Sequence, residues 1–288
     1  MAFRRALTDK LRERARASRW TLPQLQRQMA YDRLLERLYL VDQRWVVKGA
    51  TALLARDIGV RGTIDIDVYR EDAHEVAETD LRAAAVMDIG DWFRFELGVS
   101  QSMQHAARGA RIPVSAYVGA TIWAEFHVDL VGSDLRMTAT PEAVPPLARV
   151  TLPDVEQHGY LAYPLVDHLA DKITAMFERH GAMNTPSLRF KDLVDLVAIV
   201  TQASVHSTAQ MAALTSEAER RRVTLPARFA VPDRELWETG YAAEARRSLL
   251  RSAHGLDEAL AIVTPFVDPL LDASAGGAWD HVGGRWST

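Results

Sequence analysis

The chain has 288 residues, 48% hydrophobic and 25% charged, with a formal net charge of −4, the composition of a globular chain large enough for one substantial domain or two. It contains no cysteine, which excludes disulfides, thiolate metal sites and a cysteine nucleophile and is compatible with a reducing cytoplasm. No apolar run approaches the roughly 18 residues of a membrane span, and the Arg-rich N-terminus, interrupted by Asp9 and Glu13, reads as an amphipathic helix rather than a signal peptide.

Taken in chain order, the first 50 residues carry twelve basic and five acidic side chains (+7), residues 51–150 come to −6 and residues 151–288 to −5. The basic set (Arg4, Arg5, Lys10, Arg12, Arg14, Arg16, Arg19, Arg27, Arg33 and Arg37), Arg19 apart, falls on predicted helices over 4–18 and 21–41. It suits a polyanion steered toward an acidic domain, and equally a solvated helical face or a surface for an acidic partner. Trp45–Val47 reads as a short buried strand, Lys48-Gly49-Ala50-Thr51 as a turn, and Ala52–Arg56 as the start of a helix. With Thr51 as N-cap, that turn would offer backbone N–H groups and a hydroxyl to a phosphate. In Thr63–Tyr69, Ile64, Ile66 and Val68 alternate with polar residues, so Asp65 and Asp67 share one face of a strand. A helix over His74–Met87 and strands over Trp92–Gly98, Val114–Val118 and Ile122–Val131 follow. In the last of these Glu125, His127 and Asp129 lie on one face and Phe126, Val128 and Leu130 on the other. The Pro-rich stretch Thr140–Pro146 breaks the pattern. Beyond Tyr163 the chain reads as helices over 164–180, 189–202, 207–221, 233–252 and 255–271, ending in a loose Gly-rich tail over 273–288 whose Trp279 and Trp286 could dock. The expected fold is therefore α/β (α+β): a lobe over 1–150 with a mixed sheet and basic N-terminal helices, then an α-helical lobe over 151–288, with the active site in the cleft between them.

Asp65 and Asp67 hold the chemistry. Two carboxylates held side by side repel by a few kcal/mol at an effective dielectric of about 20, so the pair is favoured where a hard cation neutralises it. Mg²⁺ suits, being held by one or two carboxylates together with substrate phosphates. A solvated strand face gives the same isolated D-x-D. If the strand of Asp129 lies beside that of Asp65 and Asp67, a third carboxylate faces the same cation and a two-metal phosphoryl-transfer site becomes plausible. On the predicted helix over 164–180, His168, Lys172 and Arg179 line one edge, either as phosphate partners or as solvated charges covering apolar surface. Asp192 and Asp195 stand at i and i+3 on the next helix, where one would orient a metal-bound or phosphate-bound group; an intrahelical Lys191–Asp195 pair is the alternative. Only four of the 34 basic residues are lysines (Lys10, Lys48, Lys172, Lys191), and three fall in these segments, which hints at a need for the compact ammonium. G-x-S-x-G, H-E-x-x-H, Walker A and G-x-G-x-x-G motifs are absent, and the nine histidines show no metal-ligand spacing.

The order KGATAL, RGTIDID and FHVDL resembles the minimal nucleotidyltransferases of the Pol β superfamily. Lys172–Arg179 (K-x-x-A-x-x-x-R) followed by Lys191–Leu196 (K-D-x-x-D-L) is similar to the signature of AbiEii/AbiGii-type, MenT-like toxins. The resemblance runs from about Trp45 to Val200 and departs at Ala50, where the family turn has a second glycine. It implies an enzyme, a metal-dependent nucleotidyltransferase that moves nucleotides from an NTP to RNA, the tRNA 3′ end above all, and arrests translation and growth. Asp65, Asp67 and Asp129 would be catalytic metal ligands for Mg²⁺ or Mn²⁺, joined by Lys172. Lys48, Gly49, Thr51, Arg179, Asp192 and Asp195 would bind nucleotide or phosphate. A cognate antitoxin and a cytoplasmic location, without a membrane partner, follow from the same resemblance. Two other readings stand beside it: a nucleotidyltransferase acting on a small molecule or protein, and a non-catalytic interaction protein of the same fold.

Overall fold

The computed structural model describes residues 2–103, 109–131, 135–151, 153, 155–181 and 183–287. The chain divides into two compact units. The first comprises residues 1–57, 62–135 and 141–162; the second takes 58–61, 136–140 and 163–288. The main division thus falls at Ala162/Tyr163, not at 150/151.

Unit 1 opens with helices α1 (Ala2–Ala17) and α2 (Leu22–Val41). Then come β1 (Val46–Val47), α3 (Gly49–Ala55), β2 (Asp65–Tyr69), α4 (His74–Ala85), β3 (Phe93–Leu97), β4 (Gln101–Met103), β5 (Gly109–Val118), β6 (Thr121–Leu130), β7 (Glu142–Val144) and β8 (Tyr160–Ala162). The strands form one mixed sheet in the order β3-β5-β6-β2-β1-β8-β7, with β4 beside β5. The β2–β6 and β1–β8 pairs are parallel and the others antiparallel. β8 carries the sheet past residue 150 because Leu161 lies opposite Val46. Alternation decides the buried face: Ile66 and Val68 of β2 and Phe126, Val128 and Leu130 of β6 are buried, and Tyr31 of α2 packs edge-on against Phe126 with ring centroids 4.8 Å apart.

β5 begins five residues earlier than the sequence suggests. Pro113 argues against a strand interior, yet it is tolerated because β3 pairs with Val114–Val118 and β4 with Gly109–Arg111, leaving Pro113 between the two partners. α2 also departs from its pattern, since charged residues are buried along with apolar ones. Arg33 and Arg37 are enclosed and converge on Asp91, with Arg33 Nε and the Arg37 guanidinium each donating at 2.7 Å. These two arginines therefore belong to a buried ion cluster and not to a basic steering surface. Arg5, Lys10, Arg12, Arg16 and Arg19 are the exposed remainder of that set.

Unit 2 is helical: α5 (Leu165–Phe177), a two-stranded hairpin β9 (Arg179–His180) and β10 (Thr185–Pro186), α6 (Phe190–Val200), α7 (Ser207–Arg221), α8 (Arg234–Arg247), α9 (Leu256–Leu271) and a hairpin of β11 (Trp279–Asp280) and β12 (Arg285–Trp286). The Gly-rich tail is packed through Ser287, not loose. Trp279 is buried, donates its indole N–H to Val200 O at 2.7 Å and meets Phe266 edge-on, while Trp286 stacks on Phe266 and donates to its carbonyl. Among the described residues no helix is long and apolar enough to cross a membrane.

Candidate active site

The polar face of the unit 1 sheet gathers the acidic residues. In the parallel β2–β6 pair Asp65 lies opposite His127 and Asp67 opposite Asp129. Because the side-chain period of a strand is two, Asp65, Asp67, His127 and Asp129 all project to one side. The next strand adds a residue that sequence reasoning missed: Arg111 of β5 lies opposite Asp129. Its Nε and one terminal nitrogen donate to the two Asp129 oxygens at 2.8 and 2.7 Å, a two-pronged pair, and that terminal nitrogen stands 3.6 Å from Asp65 Oδ1. A clue did exist, since Ala110-Arg111-Ile112 continues the alternation of β5 with arginine on the polar side, but Pro113 hid it.

The turn before α3 fixes the position of Asp67. Gly49 has φ +58°, and a Cβ there would fall 1.8 Å from Asp67 Oδ2. Only glycine permits both the backbone and the contact. The Lys48 N–H donates to Asp67 O at 2.8 Å, and the Lys48 side chain is buried. Ala50, which follows, has no positive φ, so the residue that departs from the family pattern has a backbone conformation open to any L-residue. Thr51 is not the N-cap: Lys48 holds that position, and Thr51 sits fully buried within α3 with its hydroxyl donating to Asp65 O at 3.1 Å. It therefore braces the D-x-D strand and is not presented to a phosphate. The backbone carbonyls of both acidic residues are thus tied to the same segment.

Asp65 and Asp67 suit a hard cation. Asp65 Oδ1 is buried and makes no hydrogen bond, with His127 Nδ1 at 3.3 Å and the Arg111 guanidinium at 3.6 Å. Such an oxygen is costly unless a cation or water completes its shell. Asp129 differs, being 4% exposed with both oxygens taken by Arg111. Among the described residues no three His, Cys, Asp or Glu side chains converge as a ready-made metal cage. The set fits a cation held by the two β2 carboxylates with substrate oxygens completing the shell; the expected third carboxylate is on the same face but already has a cation of its own.

The remaining predicted residues belong to unit 2. The Lys172 ammonium of α5 is enclosed between Asp192 at 2.8 Å and Asp195 at 2.7 Å on α6, and Arg61 grips Asp195 with two hydrogen bonds of 3.0 and 2.8 Å. Burial alone would lower the Lys172 pKa, but the two carboxylates hold it above its ordinary value. Burial alone would raise Asp195, yet Lys172 and Arg61 bring it down to about 2. The i, i+4 pair of Lys191 with Asp195 is replaced by this cluster. Arg179 departs from expectation too: α5 ends at Phe177, and Arg179 lies exposed on β9, donating to Asn184 O. It does not share a helix edge with Lys172. His168 is buried beside Tyr163 and is no cationic margin.

Comparison with known proteins gives one family. The AbiEii nucleotidyl transferase toxins, a Type IV TA system, match residues 33–262. Curated proteins give no sequence match. Among solved structures, MenT4, a nucleotidyltransferase toxin from Mycobacterium tuberculosis H37Rv, superposes with a TM-score of 0.51 at 16% identity, over 76% of this chain and 74% of its own. JHP933 from Helicobacter pylori gives a TM-score of 0.49 at 13% identity, over 86% and 92%. At such identities the MenT4 likeness bears on the fold alone.

Proposed function

Because this chain belongs to the AbiEii family of nucleotidyltransferase toxins, we propose that it transfers a nucleotide from an NTP to RNA, at the 3′ acceptor end of a tRNA, and so blocks translation and growth in the cytoplasm. The observation that supports this reading most is the sheet face on which Asp65 and Asp67 stand beside His127 and Asp129, with Gly49 packed against the Asp67 carboxylate. In nucleotidyl transfer the acceptor hydroxyl oxygen bonds to the α-phosphorus while the bond from that phosphorus to the bridging oxygen breaks, and pyrophosphate leaves. Mg²⁺ or Mn²⁺ held by Asp65 and Asp67 would neutralise charge on the triphosphate and polarise its phosphoryl oxygens.

The chain's own residues keep the acidic strand in place. Thr51 and the Lys48 N–H hold the backbone at Asp65 and Asp67, so the carboxylates are set before substrate arrives. Arg111 holds Asp129 oriented on the same face. In unit 2, Lys172 acts from within a cluster that Arg61, Asp192 and Asp195 orient, and exposed Arg179 is a phosphate contact. The family's place in a toxin–antitoxin system makes a cognate antitoxin the expected partner.

The test is incubation of the purified chain with each α-labelled NTP, Mg²⁺ and total tRNA, with Asp67→Ala as control. Label in tRNA with the native chain alone is the expected outcome and names the nucleotide. Label in a protein or small molecule instead would move the acceptor, and no transfer under any condition would overturn the enzymatic reading.

A further inference from the structure

Among the described residues, Arg111 places a cation of the protein itself on the acidic face. Arg111, Asp129 and Asp67 lie side by side on β5, β6 and β2, with Asp65 two residues along the last of these. The guanidinium takes both oxygens of Asp129 and leans toward Asp65 Oδ1, which lacks a hydrogen bond. Exposure is lopsided: the Arg111 side chain is 39% exposed and that of Asp129 5%. The carboxylate is anchored in the sheet, whereas the arginine side chain is partly open to solvent.

Three carboxylates on adjacent strands would repel one another without a cation. Arg111 offsets part of that repulsion, through Asp129, in the absence of metal. A buried carboxylate already bound by a planar two-pronged donor is a poor ligand for a second cation, because the incoming ion must first displace it. We propose that Arg111 is a tethered cation that competes with the divalent metal for Asp129 and thereby sets the metal concentration at which the site fills. This rests on the metal-dependent reading above and adds a positioning residue to it. When a nucleotide arrives with its metal, the guanidinium has a second anion within its chemistry, since a phosphate accepts the same fork. Asp129 would then stay paired with Arg111 when the site is empty and become available to a cation only with substrate present.

The test is Mn²⁺ binding, measured by electron paramagnetic resonance of the free ion, with Mn²⁺ alone and with a non-hydrolysable NTP analogue. Arg111→Gln is expected to tighten Mn²⁺ binding tenfold or more without nucleotide, and the same change made on Asp129→Asn is expected to give no tightening. Removing Arg111 leaves Asp129 buried without its partner, so folding is checked by circular dichroism. If Arg111→Gln does not fold, Arg111→Lys, which keeps the charge but loses the fork, is expected to tighten binding about threefold. Unchanged or weaker Mn²⁺ binding in a folded Arg111 variant would overturn the proposal, as would equal tightening with and without Asp129. A native chain that binds Mn²⁺ no better than Asp65→Asn/Asp67→Asn, with or without the analogue, overturns the metal-dependent reading itself, and this proposal with it.

Discussion

Substituting Gly49 with alanine tests the geometry of the acidic strand directly. The added Cβ would lie 1.8 Å from Asp67 Oδ2 and 2.8 Å from its Cγ, on a backbone with φ +58°. An L-residue in that backbone region costs about 1–2 kcal/mol, and relieving the overlap by moving the carboxylate or the turn costs roughly 1–3 kcal/mol more. Gly49→Ala should therefore destabilise unit 1 by about 3 kcal/mol, equivalent to a melting shift of about 6–12 °C for a unit of this size. It should also abolish nucleotide transfer, because Asp67 can no longer stand where it does. Ala50→Gly is the matched control: Ala50 has no positive φ, so the change should cost only about 0.5–1 kcal/mol and leave transfer intact. Thermal unfolding and the labelled-NTP assay read both variants. A Gly49→Ala chain that melts and labels like the native one would refute the packing argument, as would an Ala50→Gly chain more damaged than Gly49→Ala.

Asp91→Ala should cost about 3–5 kcal/mol in urea unfolding, since it strands the buried guanidinium groups of Arg33 and Arg37; a loss below about 1 kcal/mol would show that the pair re-solvates. Asp195 and Asp32 predict opposite pH dependences. With its pKa lowered from 3.8 to about 2, Asp195 contributes about 2 kcal/mol that is present above pH 3.8 and lost as pH falls through about 2, so Asp195→Asn should flatten the acid limb of the stability profile. Burial raises Asp32 to about 6, against the lowering effect of hydrogen bonds from Tyr160, Ala148 and Leu147. Its ionised form therefore costs the folded state about 3 kcal/mol above pH 6, a cost relieved as pH falls toward 3.8. The urea midpoint of the native chain should thus gain on that of Asp32→Asn between pH 7 and pH 4.5, and a difference that stays flat counts against a buried ionised Asp32. Trp286→Ala should undock the terminal hairpin, seen as new limited-proteolysis cuts after Ala273 while α9 stays protected; an unchanged cleavage pattern would deny Trp286 that role.

What was legible in the sequence was whatever repeats along it. Alternation in β2 and β6 put Asp65 and Asp67 on one face, and Asp129 on the polar face of its own strand, while helical periodicity gave α5 to α9 to within a few residues at most ends. Motif order then carried the family. The sequence could not show which strands are neighbours. Asp129 meets Asp67 because β6 pairs with β2 in parallel, and Arg111 meets Asp129 because β5 pairs with β6; both are long-range registers. Nor could it separate a solvated charge from a buried one. Arg33 and Arg37 read as part of a basic helical set and Lys172 as a phosphate partner or a solvated charge, and only the fold brings Asp91, Asp192 and Asp195 within hydrogen-bond reach of them. Thr51 shows the same limit at short range: its spacing suits an N-cap, but a positive φ at Gly49 starts the helix early and turns the hydroxyl inward to the backbone of Asp65. Local chemistry fixed which residues this protein has available, and tertiary pairing decided which of their charges are already neutralised.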